Sequence, residues 1–262
     1  MLFSWLREHR RAKLRDEPFP AAWLTVLEQN VWHYGLLTAA EQAQVRGDAR
    51  ILIAEKNWEG CGGLELTDEI RVTIAAQAAL LLLGLQHDYY AKSLSILVYP
   101  STFVVPQKHM QPGALIEEES VAHLGQAWYR GPVILAWDDA LAGGRRLSAG
   151  RNVVLHEFAH ELDMQNGAAD GIPDLDNRED LEKWTAVTGD EFERLKRSVE
   201  RGRPTVIDGY GTTNPAEFFA VCTEAFFERP IALRSHHQRL YETLQRFYRQ
   251  DPAERMSRAG SS

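Results

Sequence analysis

Over its first part the chain alternates apolar and polar positions with a helical period. Trp23, Leu24, Leu27 and Val31 fall on one helix face, and residues 20–60 read as helical. Thr38 followed by Glu41 forms a capping-box pattern and predicts a helix running through Ile51 and Ile53. Gly60-Cys61-Gly62-Gly63 breaks the pattern, and Thr67 or Asp68 then opens a long helix reaching Leu85. Next come short runs of β-type residues: Leu94–Val98, Thr102–Val105, and Gly131–Trp137 within the segment from Ala127. Further helices are predicted from about Ala149 to Asn166, from Leu181 to Glu200, from Asn214-Pro215 to Arg229, and from His236 to Arg249. A polar loop with Gly167, Gly171 and Pro173 separates the first two. Pro230 is read as a helix stop, and the small polar tail after Asp251 as frayed. Helices, then a few strands, then helices predict an α+β fold with a small mixed sheet and without alternating βαβ units. The expected organisation is a helical N-terminal portion, residues 1–90, packed on a second portion, residues 91–262, in one compact unit.

Composition narrows this picture without adding chemistry. With 262 residues, 44% of them hydrophobic and 25% charged, the chain is an ordinary globular protein able to bury a full core. Its 29 basic and 37 acidic residues leave a net charge of −8, which disfavours direct binding to nucleic acid. The early cluster Arg7, Arg10, Arg11, Lys13 and Arg15 reads as a solvated terminal helix, with a membrane surface or an acidic partner as the alternative. Ile74–Leu85, interrupted by Gln77, is the longest apolar stretch and is too short to span a bilayer. Charges from Arg7 onward leave no secretory apolar region. Two cysteines, Cys61 and Cys222, without a Cys-x-x-Cys pattern, indicate neither a disulfide framework nor a zinc knuckle. A cytoplasmic, reducing location is expected.

The chemistry sits in Val153-Val154-Leu155-His156-Glu157-Phe158-Ala159-His160-Glu161-Leu162-Asp163. On a helix, His156 and His160 are one turn apart and point the same way, so both imidazoles can reach one Zn²⁺. Glu157 is turned about 100° from His156. It is therefore no ligand, but it can act as the general base that takes a proton from water. The apolar residues before His156 anchor such a helix in a core.

A catalytic zinc needs a third protein ligand. The position ten residues after His156, where a further histidine would complete the long metzincin pattern, is Asn166. Asp163 shares the histidine face and reads either as an acceptor orienting a histidine or as a surface charge. Glu217 in Asn214-Pro215-Ala216-Glu217-Phe218-Phe219-Ala220 is the stronger candidate, although Asn214 and Glu217 also fit a capping box. Glu224, seven residues on, occupies nearly the same face, and spacing leaves both open. Tyr210, in the loop before Glu217, reads either as a donor to a developing oxyanion or as a packed loop tyrosine. His9, His33, His87, His109, His123, His236 and His237 lack partners at ligand spacing. Cys61 is too isolated to be a nucleophile, and Cys222 reads as core.

These segments resemble the Mlc titration factor A family of zinc peptidases. The resemblance runs from about Trp23 to Tyr248. It is carried by Gly60–Glu69, the Ile74–Leu83 run, His156–Asp163, and Tyr210 with Pro215–Ala220. The second half of that set is also similar to the anthrax lethal factor protease. The resemblance implies a zincin-like fold with zinc held by His156, His160 and Glu217 in the gluzincin arrangement, Glu157 as base and Tyr210 as transition-state stabiliser. It also implies aminopeptidase-type hydrolysis of a peptide or protein substrate. The alternative is a regulatory protein that sequesters a transcriptional repressor of the Mlc type, with hydrolysis secondary.

Overall fold

The computed structural model describes residues 2–102, 131–146 and 150–260. The chain opens with α1 (Leu2–Asp16), α2 (Ala21–Asn30), a 3-10 turn (Trp32–Leu36) and α3 (Ala39–Glu55). The capping box at the start of α3 is present. Thr38 Oγ1 accepts the Glu41 N–H, and the Glu41 carboxylate accepts the Thr38 N–H. α1 is not simply solvated, because Arg11 is buried and pairs with Glu55 and Asp88.

Strand β1 (Asn57–Gly60) follows α3 directly. Pattern reading misses it, since four residues with only Trp58 apolar carry no period-2 signal. Helix α4 (Asp68–Leu82) is capped by Thr67 and is buried along almost its whole length from Ile70 onward. It leads to β2 (Ser95–Tyr99), while β3 (Val133–Ala136) runs into α5 (Trp137–Gly144). The sheet has the order β1-β2-β3, with Asn57 opposite Ser95 and Ile96 opposite Val133.

Two expectations are corrected here. Among the described residues both strand pairings are parallel, so the sheet is not mixed. In addition, β1, α4 and β2 form a βαβ unit. Adjacent parallel strands need a long crossover, and α4 supplies it. Residues 103–105 of the expected Thr102–Val105 strand, together with His109 and His123, lie outside the described residues.

The C-terminal half is helical: α6 (Val153–Asp163), α7 (Arg178–Glu200), α8 (Pro215–Glu228), α9 (Pro230–His236), α10 (Gln238–Tyr248) and α11 (Pro252–Ala259). Pro230 opens a helix as well as ending one, because proline is favoured at the first helical position. The tail expected to fray is instead α11. Its Arg255 is buried, donates to Gln250 Oε1 at 2.9 Å and pairs with Glu41. Gln250 in turn donates to the Leu80 and Leu83 carbonyls, both at 2.9 Å, and so satisfies the end of α4. One continuous core joins α3, α4, α6, α8 and α10, with Cys222 inside it. No described helix is long and apolar enough to cross a membrane.

Candidate metal centre

Helix α6 begins at Asn152, whose side chain accepts the Leu155 N–H at 3.1 Å. Val154, Leu155, Phe158, Ala159 and Leu162 form its buried face, at the spacing of an amphipathic helix. The half-buried His156 and His160 sit side by side, with ring centroids 4.9 Å apart. Helix α8 packs against α6 and brings Glu217 to them. Asn214 Oδ1 accepts the Glu217 N–H at 2.9 Å, so the cap is real. The Glu217 carboxylate, however, turns to the histidines.

One oxygen of Glu217 serves both rings. Oε2 lies 3.0 Å from His156 Nε2 and 3.5 Å from His160 Nε2. The second contact is close enough for charge interaction but lacks hydrogen-bond geometry, and His160 Nε2 is buried without a hydrogen-bond partner. One ligand atom from each of His156, His160 and Glu217 lies within 4.8 Å of the others. Two imidazoles, one carboxylate and an orphaned buried ring nitrogen fit a divalent transition metal.

The electrostatics follow from crowding. Burial works against a charged His156, but hydrogen bonds to Glu217 and Glu224 outweigh it and raise the imidazole well above its ordinary value. For Glu217 burial pushes upward, yet the two histidines hold the carboxyl down at about 2. Glu157 goes the other way, because burial raises it and the neighbouring Glu217 and Glu224 add to that against the two imidazoles. Tyr210 lies in a 3-10 turn (Gly209–Thr212) before α8, its ring centroid 6.2 Å from that of His156. Burial, Glu217 and Glu157 push its phenol up to about 12, so near neutral pH it keeps its hydrogen and can donate.

The two rivals from the sequence have other places. Glu224 is not among the three clustered donors and instead contacts the far nitrogen of His156, Nδ1, at 2.8 Å. Asp163 is neither a surface charge nor a bonded partner of a histidine. It is buried, and its Oδ2 accepts the Gly171 N–H at 2.9 Å. Gly171 has φ of +75°, and a Cβ there would lie 2.3 Å from the Pro215 carbonyl oxygen. Asp163 therefore clamps the loop that packs on the start of α8. Away from the centre, His33 Nε2 faces the Phe227 carbonyl and His237 Nδ1 meets Glu191.

Sequence reading missed three supporting residues. Asn152, Gln77 and Glu228 are buried and bonded together behind His156. Two of them left a readable signal. Asn152 is a capping residue directly before an apolar run, and Gln77 is the polar interruption in the Ile74–Leu85 stretch.

Comparison with known proteins agrees with this chemistry. A family model described as glucose-regulated metallo-peptidase M90 matches residues 4–249. An uncharacterized protein of Synechocystis, slr2042, is 39% identical over 249 residues, 95% of this chain and 90% of its own length. A protein named Mlc titration factor A from Serratia proteamaculans is 35% identical over 225 residues, 85% of each chain. The protein of that name from Salmonella agona is 33% identical over 253 residues, 91% of this chain and 93% of its own. Matched along nearly its whole length, the chain belongs to the glucose-regulated metallo-peptidase M90 family, together with the Mlc titration factor A proteins.

Proposed function

We propose that this chain is a zinc-dependent peptidase of the gluzincin type, with His156, His160 and Glu217 as ligands and aminopeptidase-like cleavage of peptide substrates. The observation that carries the reading is the convergence of those three donors within 4.8 Å, with Glu157 on the same helix as both histidines. Zinc, when bound, supplies a Lewis acid that acidifies water and polarises a carbonyl. Glu157 takes the proton of the attacking water and returns it to the leaving amine. Its raised affinity for a proton suits that exchange. Tyr210 donates its hydroxyl hydrogen to the developing oxyanion. Residues 1–90 support residues 91–262 and are not a separate unit, a reading favoured by the pairing of β1 with β2 and the packing of α4 on α6. Two free cysteines are compatible with a reducing cytoplasm.

The test is Glu157→Gln. It should abolish hydrolysis of a peptide library while zinc content stays near one per chain. Retained cleavage in that variant would refute the mechanism.

A second reading is supported by the name shared by several relatives, Mlc titration factor A. In it the chain binds and sequesters a transcriptional repressor of the Mlc type without itself touching DNA. Capture of such a repressor that survives His156→Ala would favour binding as the primary role.

A further inference from the structure

Behind the candidate ligands lies a buried polar assembly that the peptidase reading does not use. Glu224 is on α8, seven residues after Glu217 and therefore on nearly the same stripe of the helix. It is only 8% exposed, and a carboxylate at that depth needs partners. Its two oxygens have one each: Oε1 lies 2.8 Å from His156 Nδ1, and Oε2 accepts the backbone N–H of Asn152 at 2.5 Å.

Asn152 is itself fully engaged. Its Oδ1 caps Leu155, and its Nδ2 donates to Gln77 Oε1 at 2.9 Å and Glu228 Oε1 at 3.0 Å. Gln77 passes the link on by donating to the Thr73 and Ala140 carbonyls, both at 3.1 Å. The assembly thus ties α4, α5 and α8 to the first residue before α6. Asn152 approaches α5 so closely that a Cβ on Gly143 would lie 3.1 Å from its Cα.

We propose that Glu224 is the positioning residue of the metal centre. It accepts the Nδ1 hydrogen of His156 and the backbone hydrogen of Asn152 together. With Glu224 as the acceptor on both arms, this contact places the ring hydrogen on Nδ1 and leaves Nε2 as the ligand nitrogen. The same side chain fixes where α6 begins. Both neighbours at Glu224 present hydrogens, so the site needs an acceptor on each arm. Glutamine has the same shape but turns an NH₂ toward one of them. Glu228, one turn further on α8, touches Asn152 but not His156 and so contributes to the assembly without orienting the ring.

This inference rests on the metallopeptidase reading. It is tested on the whole chain with zinc and cobalt(II) as probes. Glu224→Gln should weaken zinc binding by roughly 10- to 100-fold in chelator competition and shift the visible bands of the cobalt form. Glu228→Gln, which also disturbs the assembly, should stay within about threefold of wild type with unchanged bands. Equal losses in both variants, or wild-type affinity and bands in Glu224→Gln, overturn the proposal. If Glu224→Gln does not fold, nitrogen NMR of the zinc-loaded wild type decides: a hydrogen on His156 Nδ1 supports the proposal, and coordination through Nδ1 overturns it. Wild type that binds neither ion overturns this inference and the peptidase reading together. Tight wild-type binding with an unaffected Glu224→Gln overturns this inference alone.

Discussion

Asn214 holds Glu217 by its backbone and leaves its carboxylate to His156. The Glu217 N–H donates to Asn214 Oδ1 at 2.9 Å, while Glu217 Oε2 lies 3.0 Å from His156 Nε2. Cap and candidate ligand are separable for that reason. Asn214→Ala should cost about 1 kcal/mol, a fall of a few degrees in Tm, and reduce zinc affinity less than about tenfold. Glu217→Gln should keep the cap, because the Asn214 bond is to the Glu217 backbone N–H. It should lose zinc well beyond the roughly 100-fold that outer partners reach. Calorimetry and chelator competition on the two variants check both halves.

Tyr210 is a hydrogen donor at neutral pH, and burial with the two carboxylates Glu217 and Glu157, which raise its phenol to about 12, extends that state into alkaline solution. Tyr210→Phe removes that donor and little volume. The expected result is a fall in kcat of roughly 10²- to 10³-fold with KM changed only slightly and zinc content intact. A loss confined to KM would assign the tyrosine to substrate binding.

The candidate cluster was partly legible before the fold was. His156 and His160 read from helical spacing, and the apolar run before them implied an anchored helix. Glu217 against Glu224 was not decidable by spacing, because seven residues bring a helix back to nearly the same face. The packing of α8 on α6 puts Glu217 on Nε2 and Glu224 on Nδ1. Strand β1 was invisible for a different reason. It is short and half exposed, and its pairing with β2, more than thirty residues away, is tertiary information. Helix α11 was misread because its sequence is polar. Its buried face is made by Pro252, Ala253 and Arg255, and the arginine is held by Glu41 from across the chain.

Asp163 gives a pH signature. Burial lifts its carboxyl to about 6 from an ordinary 3.8, against the lowering effect of the Gly171 hydrogen bond. Between these values the folded state binds the proton more tightly than the unfolded chain. Its contribution is therefore fully present at low pH and is lost as pH rises through about 6. Asp163→Asn keeps an acceptor for Gly171 and removes the charge. Relative to wild type it should gain on the order of 2–3 kcal/mol of stability on going from pH 4 to pH 7.5, read from urea midpoints. Equal pH dependence in the two proteins would show that Asp163 titrates normally.

Gly171 should accept no side chain. Its φ of +75° disfavours other residues, and a Cβ would meet the Pro215 carbonyl at 2.3 Å. Gly171→Ala should destabilise by more than about 1 kcal/mol. It should also weaken zinc binding, because Pro215 begins the helix that carries Glu217. Preserved affinity in a destabilised variant would show that the loop and the donor are uncoupled.

Removal of α11 should not be neutral. Truncation after Asp251 deletes the buried Arg255 and leaves Gln250 Oε1 and Glu41 Oε1 without the arginine they accept from. A loss of roughly 2–4 kcal/mol in urea unfolding is expected, where a frayed tail would give none.

Glu217, Glu224 and Glu228 ride on one rigid helix and meet the site at successive points: Glu217 at the candidate ligand cluster, Glu224 at the far side of His156 and the Asn152 backbone, and Glu228 at the Asn152 side chain. Insertion or deletion of one residue between them would rotate everything beyond it by about 100°. Such a change would throw at least one buried carboxylate out of register with its partner. α8 can therefore drift in composition but not in length, and the spacing of its three glutamates is a ruler against which any lengthened or shortened variant of this chain can be judged.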